Sequence, residues 1–137
     1  MVIWLFETFP DINFHSRHDY AFRWACGNGH IHIAIWLLEN IPGIDIHFYD
    51  NSAICLACEA GHVCVAEWLY HLGHTNLRSC DDFAFKVACR NKFYHVALWI
   101  LSVCAEISER IRTDFEFKWL CANKNFEEIE NAIPLFN

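Results

Sequence analysis

Cys55, Cys58 and His62 stand at i, i+3 and i+7, with Cys64 close behind. Thiolates and imidazoles at that spacing fall near one face of a helix and can share a tetrahedral zinc ion. A redox role for Cys55, Cys64, Cys80 or Cys104 would instead need an exposed thiol with a lowered pKa. Other chemistry has no motif behind it. There is no Gly-x-Ser-x-Gly turn, no phosphate-binding glycine loop and no paired-carboxylate signature, so no catalytic residue is predicted.

The segments that position these side chains recur. Cys26, Cys58, Cys89 and Cys121 are separated by 32, 31 and 32 residues. Phe22, Ile54, Phe85 and Phe117 keep the same intervals, and Trp4, Trp36, Trp68 and Trp99 run at 32, 32 and 31. His62 likewise matches His30. A free Cys behaves as a small hydrophobe, so a recurring Cys suits a slot where helices approach closely. Two readings of Cys58 and His62 follow: a local metal or redox site, or spacers of a repeat that needs no metal and no cofactor.

Asp19, Asn51, Asp82 and Asp114 open the copies, and each is a residue type that caps a helix N-terminus. Apolar and small residues then recur at helical intervals, as in Phe22, Ala25 and Cys26, until Gly29 or Gly61 supplies a helix end. A second apolar segment follows in each copy: Ile33, Ala34, Trp36, Leu37; Val65, Ala66, Trp68, Leu69; Val96, Ala97, Trp99, Ile100. Pro10 with Asp11-Ile-Asn and Pro42 with Gly43-Ile-Asp suit a turn and a short extended link. A pair of helices cannot bury its own apolar face, so neighbouring copies must stack into one continuous core. The Trp series predicts a ladder between second helices, each ring removing about 150 to 250 Å² from water. Trp36→Ala is then expected to cost about 3 to 5 kcal/mol.

Composition narrows the function classes. Apolar residues make up 55% of the 137 residues, enough for a packed core. Ten Lys and Arg against 17 Asp and Glu give a net charge of -7, which repels phosphate backbones and argues against a nucleic-acid partner. No apolar stretch approaches the roughly 20 residues that cross a bilayer, so no membrane span is expected. The apolar run before Pro10 is short and lacks a basic leader, which predicts no export and reduced thiols in a cytoplasm-like compartment.

Gly29-His-Ile-His-Ile-Ala-Ile-Trp-Leu-Leu38 and Gly61-His-Val-Cys-Val-Ala-Glu-Trp-Leu-Tyr70 resemble the G-H-x-x-V-V-x-L-L-L segment of ankyrin repeats. Gly43-Ile-Asp-Ile resembles the family's G-A-D-V segment, and the Ala-Cys pairs at 25, 57 and 88 stand where the family has Ala-Ala. The T-P-L-H segment differs, reading Tyr20-Ala-Phe-Arg, Ser52-Ala-Ile-Cys and Phe83-Ala-Phe-Lys, without the family's Pro and His. The Trp- and Cys-bearing form is similar to ankyrin arrays of large, mimivirus-like DNA viruses of amoebae.

The resemblance implies an all-α ankyrin-repeat solenoid of stacked helix-turn-helix units in a single domain over 1-137. Its parts would be an N-terminal half-repeat (1-18), repeats over 19-50, 51-81 and 82-113, and a capping repeat over 114-137. It also implies a non-enzymatic module that binds a partner protein, a host protein if the chain is viral, in the host cytoplasm. The contacts would come from link tips at His15, Arg17, His18, Phe48, Tyr49, Arg78 and Asp81, and from first-helix ends at Asn28, Glu59, Arg90 and Asn91. Two expectations concern the ends. Val2, Ile3, Leu5 and Phe6 either rest on the following repeat as a half-cap or expose an apolar edge that promotes self-association, and Glu127, Glu128 and Glu130 form a polar cap. A truncated array with no function of its own is a further alternative.

Overall fold

The computed structural model describes residues 7–8, 13–73, 77, 79–104 and 106–107, with the side chains of 49–51 and 79–81 outside that description. Among the described residues the regular elements are all helical, so this part of the chain is all-α. The helices are α1 (Ser16–Gly27), α2 (Ile31–Asn40), α3 (Phe48–Glu59), α4 (Val63–Gly73), α5 (Ser79–Arg90) and α6 (Tyr94–Val103). Each odd-numbered helix packs on the helix that follows it. The odd-numbered helices also stack on one another, α1 on α3 and α3 on α5, and α4 touches α6. Among the described residues no helix is long and apolar enough to cross a membrane.

One turn geometry joins the helices of each pair. The His30 N–H reaches the Ala25 carbonyl at 2.9 Å and the Gly29 N–H reaches Cys26 at 3.3 Å. His62 and Gly61 repeat these bonds to Ala57 and Cys58, and Phe93 and Lys92 repeat them to Ala88 and Cys89. This 6→1 and 5→2 pattern is the Schellman ending, which needs a left-handed residue after the helix. Gly29 and Gly61 supply it at φ 76 and 82, and Lys92 adopts φ 65 in the third copy. A non-glycine residue there is strained because its Cβ crowds the following carbonyl.

The in-phase positions form the core. Phe22, Ile54 and Phe85 are buried, as are Ala25, Ala57 and Ala88, then Cys26, Cys58 and Cys89. The second helices contribute Ala34, Ala66 and Ala97 with Leu37, Leu69 and Ile100. The Trp series does not join this layer. Trp36, Trp68 and Trp99 are partly buried and pack against the core from outside. Among the described residues their ring partners are aromatics other than Trp: Phe14 for Trp36, Phe22 for Trp68 and Tyr70 for Trp99, at 6.5, 6.3 and 5.9 Å between centroids. The small Ala-Cys slot lets the first helices close, leaving the indoles at the rim of the layer.

Helix starts differ from expectation in a way the links explain. The three first helices begin at Ser16, Phe48 and Ser79, three residues ahead of Asp19, Asn51 and Asp82. In α1 the extra residues Arg17, His18 and Asp19 form a left-handed turn, and the right-handed helix starts at Tyr20. Asp19 is buried and does not cap that helix. Its Oδ1 lies 2.5 Å from His15 Nδ1 and its Oδ2 accepts the Asp45 N–H at 3.1 Å, tying one link to the next. Asp82 shares the left-handed backbone, at φ 59, and the burial. The links are turns with no strand among the described residues: His15 N–H donates to Asn13 Oδ1 and His47 N–H to Asp45 Oδ1, the same Asx turn one period apart.

Candidate functional site

The outward side of α1 and α3 carries the most conspicuous open surface. Phe22, Ala25 and Cys26 point into the stack, so helical geometry turns Tyr20, Arg23 and Trp24 away from it. Tyr20 is 52% exposed and Trp24 46%, large values for aromatic rings in a small domain. An open groove of ≈ 250 Å³ runs between the two helices, lined by Tyr20, Arg23, Trp24, Asn28, Leu56 and Glu59 among others. Gly27 makes the closeness possible, because a Cβ there would meet the Leu56 Cβ at 3.3 Å.

Arg23 organises one end of the groove. Its Nε donates to the His18 carbonyl at 3.1 Å and its Nη2 to the Arg17 carbonyl at 2.8 Å, holding the left-handed turn. The guanidinium also lies 5.8 Å from the Tyr20 ring centroid and 5.4 Å from that of Phe48. A cation placed so is attracted by the ring quadrupole. The His18 ring stacks on Phe48 at 4.4 Å and 11°. The structure thus joins His18 and Phe48 into one clamp centred on Arg23, which leaves Phe48 half-buried instead of freely exposed.

The other predicted contact residues fall in several places. His15 and Arg17 are exposed at the link, His15 engaged with Asp19. Asn28 is exposed and donates from Nδ2 to the Trp24 carbonyl, while Asn91 donates to the Glu59 carbonyl of the preceding pair, both at 2.9 Å. Glu59 and Arg90 are exposed. Arg78 and the side chains of Tyr49 and Asp81 lie outside the described residues, as do Val2, Ile3, Leu5, Phe6 and the acidic residues of the last segment. Sequence reasoning missed Tyr20, Arg23, Trp24 and Leu56. The i, i+3, i+4 spacing of Tyr20, Arg23 and Trp24, opposite the Phe22 face, was the available signal.

The Cys and His cluster is not gathered. Cys58 is buried in the core, Cys55 half-buried and Cys64 exposed on the next helix. The His62 ring lies over Gly29, where an added Cβ would meet its Nδ1 at 2.7 Å. Among the described residues no three His, Cys, Asp or Glu side chains converge. Burial pushes the Cys26 thiol up to about 12, and burial together with Cys55 pushes Cys58 to about 12. Such thiols resist becoming the thiolates that metal binding and nucleophilic attack require. Comparison of the chain with family models, with curated proteins and with solved structures finds no match.

Proposed function

We propose that the chain is an ankyrin-type stack of helix-turn-helix units that acts without catalysis, binding a partner protein through the α1–α3 groove and the link clamp beside it. The observation that carries this reading is the groove itself: two exposed aromatics, an arginine and a glutamate on a rigid, repeated scaffold. Exposed Tyr, Trp and Arg are the residue types enriched where interfaces are tightest. The G-H turns and the stacking of first helices support the ankyrin-type assignment. With it come the repeat boundaries at 19-50, 51-81 and 82-113, a viral source of the mimivirus kind and a host protein met in the host cytoplasm.

Affinity capture from host-cell lysate tests the reading when wild type and a Tyr20→Ala, Arg23→Ala variant are run side by side. The expected result is a protein retained by wild type and lost by the variant, with helical circular dichroism unchanged. Equal retention by both would place binding elsewhere, and stoichiometric metal in the purified protein would favour the metal alternative.

A further inference from the structure

Four side chains on the leading side of the first pair occupy positions whose counterparts in later copies grip the pair before them. Those of Trp24 and His30 do so in both later copies and those of Asn28 and His32 in the last, the middle copy having Ala60 and Cys64 there. Leu56, the counterpart of Trp24, packs against Gly27, and Val87, the next, is only 4% exposed. His62 and Phe93, counterparts of His30, cover Gly29 and Gly61 so closely that a Cβ would meet the rings at 2.7 and 2.6 Å. Asn91, counterpart of Asn28, holds the Glu59 carbonyl at 2.9 Å. His95, counterpart of His32, places Nε2 3.0 Å from the Gly61 carbonyl.

On the first pair the same positions are open. Trp24 is 46% exposed, and Asn28, His30 and His32 are exposed. The Asn28 amide turns back to the Trp24 carbonyl, and the His30 ring leans on Trp24 at 5.3 Å between centroids. These residues carry the shape of a ring-over-glycine contact built twice within the chain and the hydrogen-bonding groups of one built once, between the last two pairs.

We propose that this edge docks the end of a helix from another protein, one finishing in a small residue and a left-handed glycine. Such an end offers what Gly29 and Gly61 offer internally, a turn residue without a Cβ beneath the ring, and carbonyls open to Asn28 and His32 as those of Glu59 and Gly61 are to Asn91 and His95. A second copy of this chain is the poorer fit, because Lys92 and Lys124 stand in the register of Gly29 and Gly61 in its later units. Their side-chain stems would meet the His30 ring.

Met1 stands 32 residues before Ile33, so a copy of residues 19–32 placed ahead of Met1 supplies such a helix in register. The extended full chain is expected to melt higher than the native chain. Asn28→Ala with His30→Ala should lower Tm more in the extended chain than in the native one, and lysine in place of the appended left-handed glycine should abolish the gain. In trans, a fluorescent peptide of the same sequence should bind the full native chain, about tenfold more weakly after Asn28→Ala with His30→Ala. Tyr20→Ala should leave that binding intact, which separates this edge from the groove. No gain in Tm, an unchanged cost of the double substitution, or no peptide binding would overturn the proposal. So would concentration-dependent self-association abolished by His30→Ala, which would make a second copy the occupant.

Discussion

On α1, Phe22, Ala25 and Cys26 enter the stack, and their counterparts in α3 and α5 are the same or nearly the same residues, all buried. On the same helix Tyr20, Arg23 and Trp24 face outward. Their counterparts are Ser52, Cys55 and Leu56 in α3, then Phe83, Lys86 and Val87 in α5, differing in size, polarity and charge. The contrast has a physical source. Dense packing between the helices admits one volume per position, whereas the outward positions meet different surroundings from copy to copy, open at Tyr20 and Trp24 and buried at Lys86 and Val87.

The buried side gives the largest expected effects. Phe22→Ala should cost about 3 to 5 kcal/mol in denaturant unfolding, through lost burial and an unfilled cavity. Trp36→Ala should cost clearly less, because its indole lies at the rim of the layer. An equal or larger loss for Trp36 would restore the ladder expected from the spacing.

Buried thiols make the same contrast visible in pH. Cys26 and Cys58 have folded pKa values of about 12 against an ordinary 9.0. A raised pKa means the folded state holds its proton more tightly. This stabilisation is complete below pH 9 and is lost as pH rises toward 12, by a few kcal/mol at most on the order of the shift. Thermal melts between pH 8 and 11 should therefore show a falling Tm, and Cys26→Ala with Cys58→Ala should flatten the slope.

The turns sharpen the comparison at smaller scale. Lys92→Gly should stabilise by about 1 kcal/mol, since the left-handed position then carries no Cβ. Gly61→Ala should act in the opposite direction, for its Cβ would meet the Phe93 ring at 2.6 Å. Smallest of all, Tyr20→Ala should change stability by under about 0.5 kcal/mol while weakening partner capture.

The repeat was legible in the sequence because each position in the stack meets the same neighbours: Ala25 and Cys26, the Gly-His turn and the second-helix Ala-x-x-Leu all recur in phase and are placed alike. Asp19 was misread for an equally physical reason. A cap and a bridge between links use the same carboxylate, and only the backbone path after His15 shows which N–H it meets. The groove was half legible. Asn28 and Glu59 follow from position, but the Arg23 clamp depends on a left-handed turn at 17–19 that no glycine announces. Trp, the most prominent residue in the spacing, was overvalued because periodicity reports a shared environment without reporting its depth.

Thiol labelling followed residue by residue in the native protein tests the central claim most directly, that the recurring cysteines are spacers in a stacked core. Among the described cysteines Cys64 is exposed and should be modified first, with Cys55 and Cys104 slower. Cys26, Cys58 and Cys89 should resist together and react only at the rate of unfolding. Labelling of Cys58 as fast as Cys64, while Cys26 and Cys89 stay protected, would contradict the account and return Cys58 to the local chemistry its spacing first brought to mind.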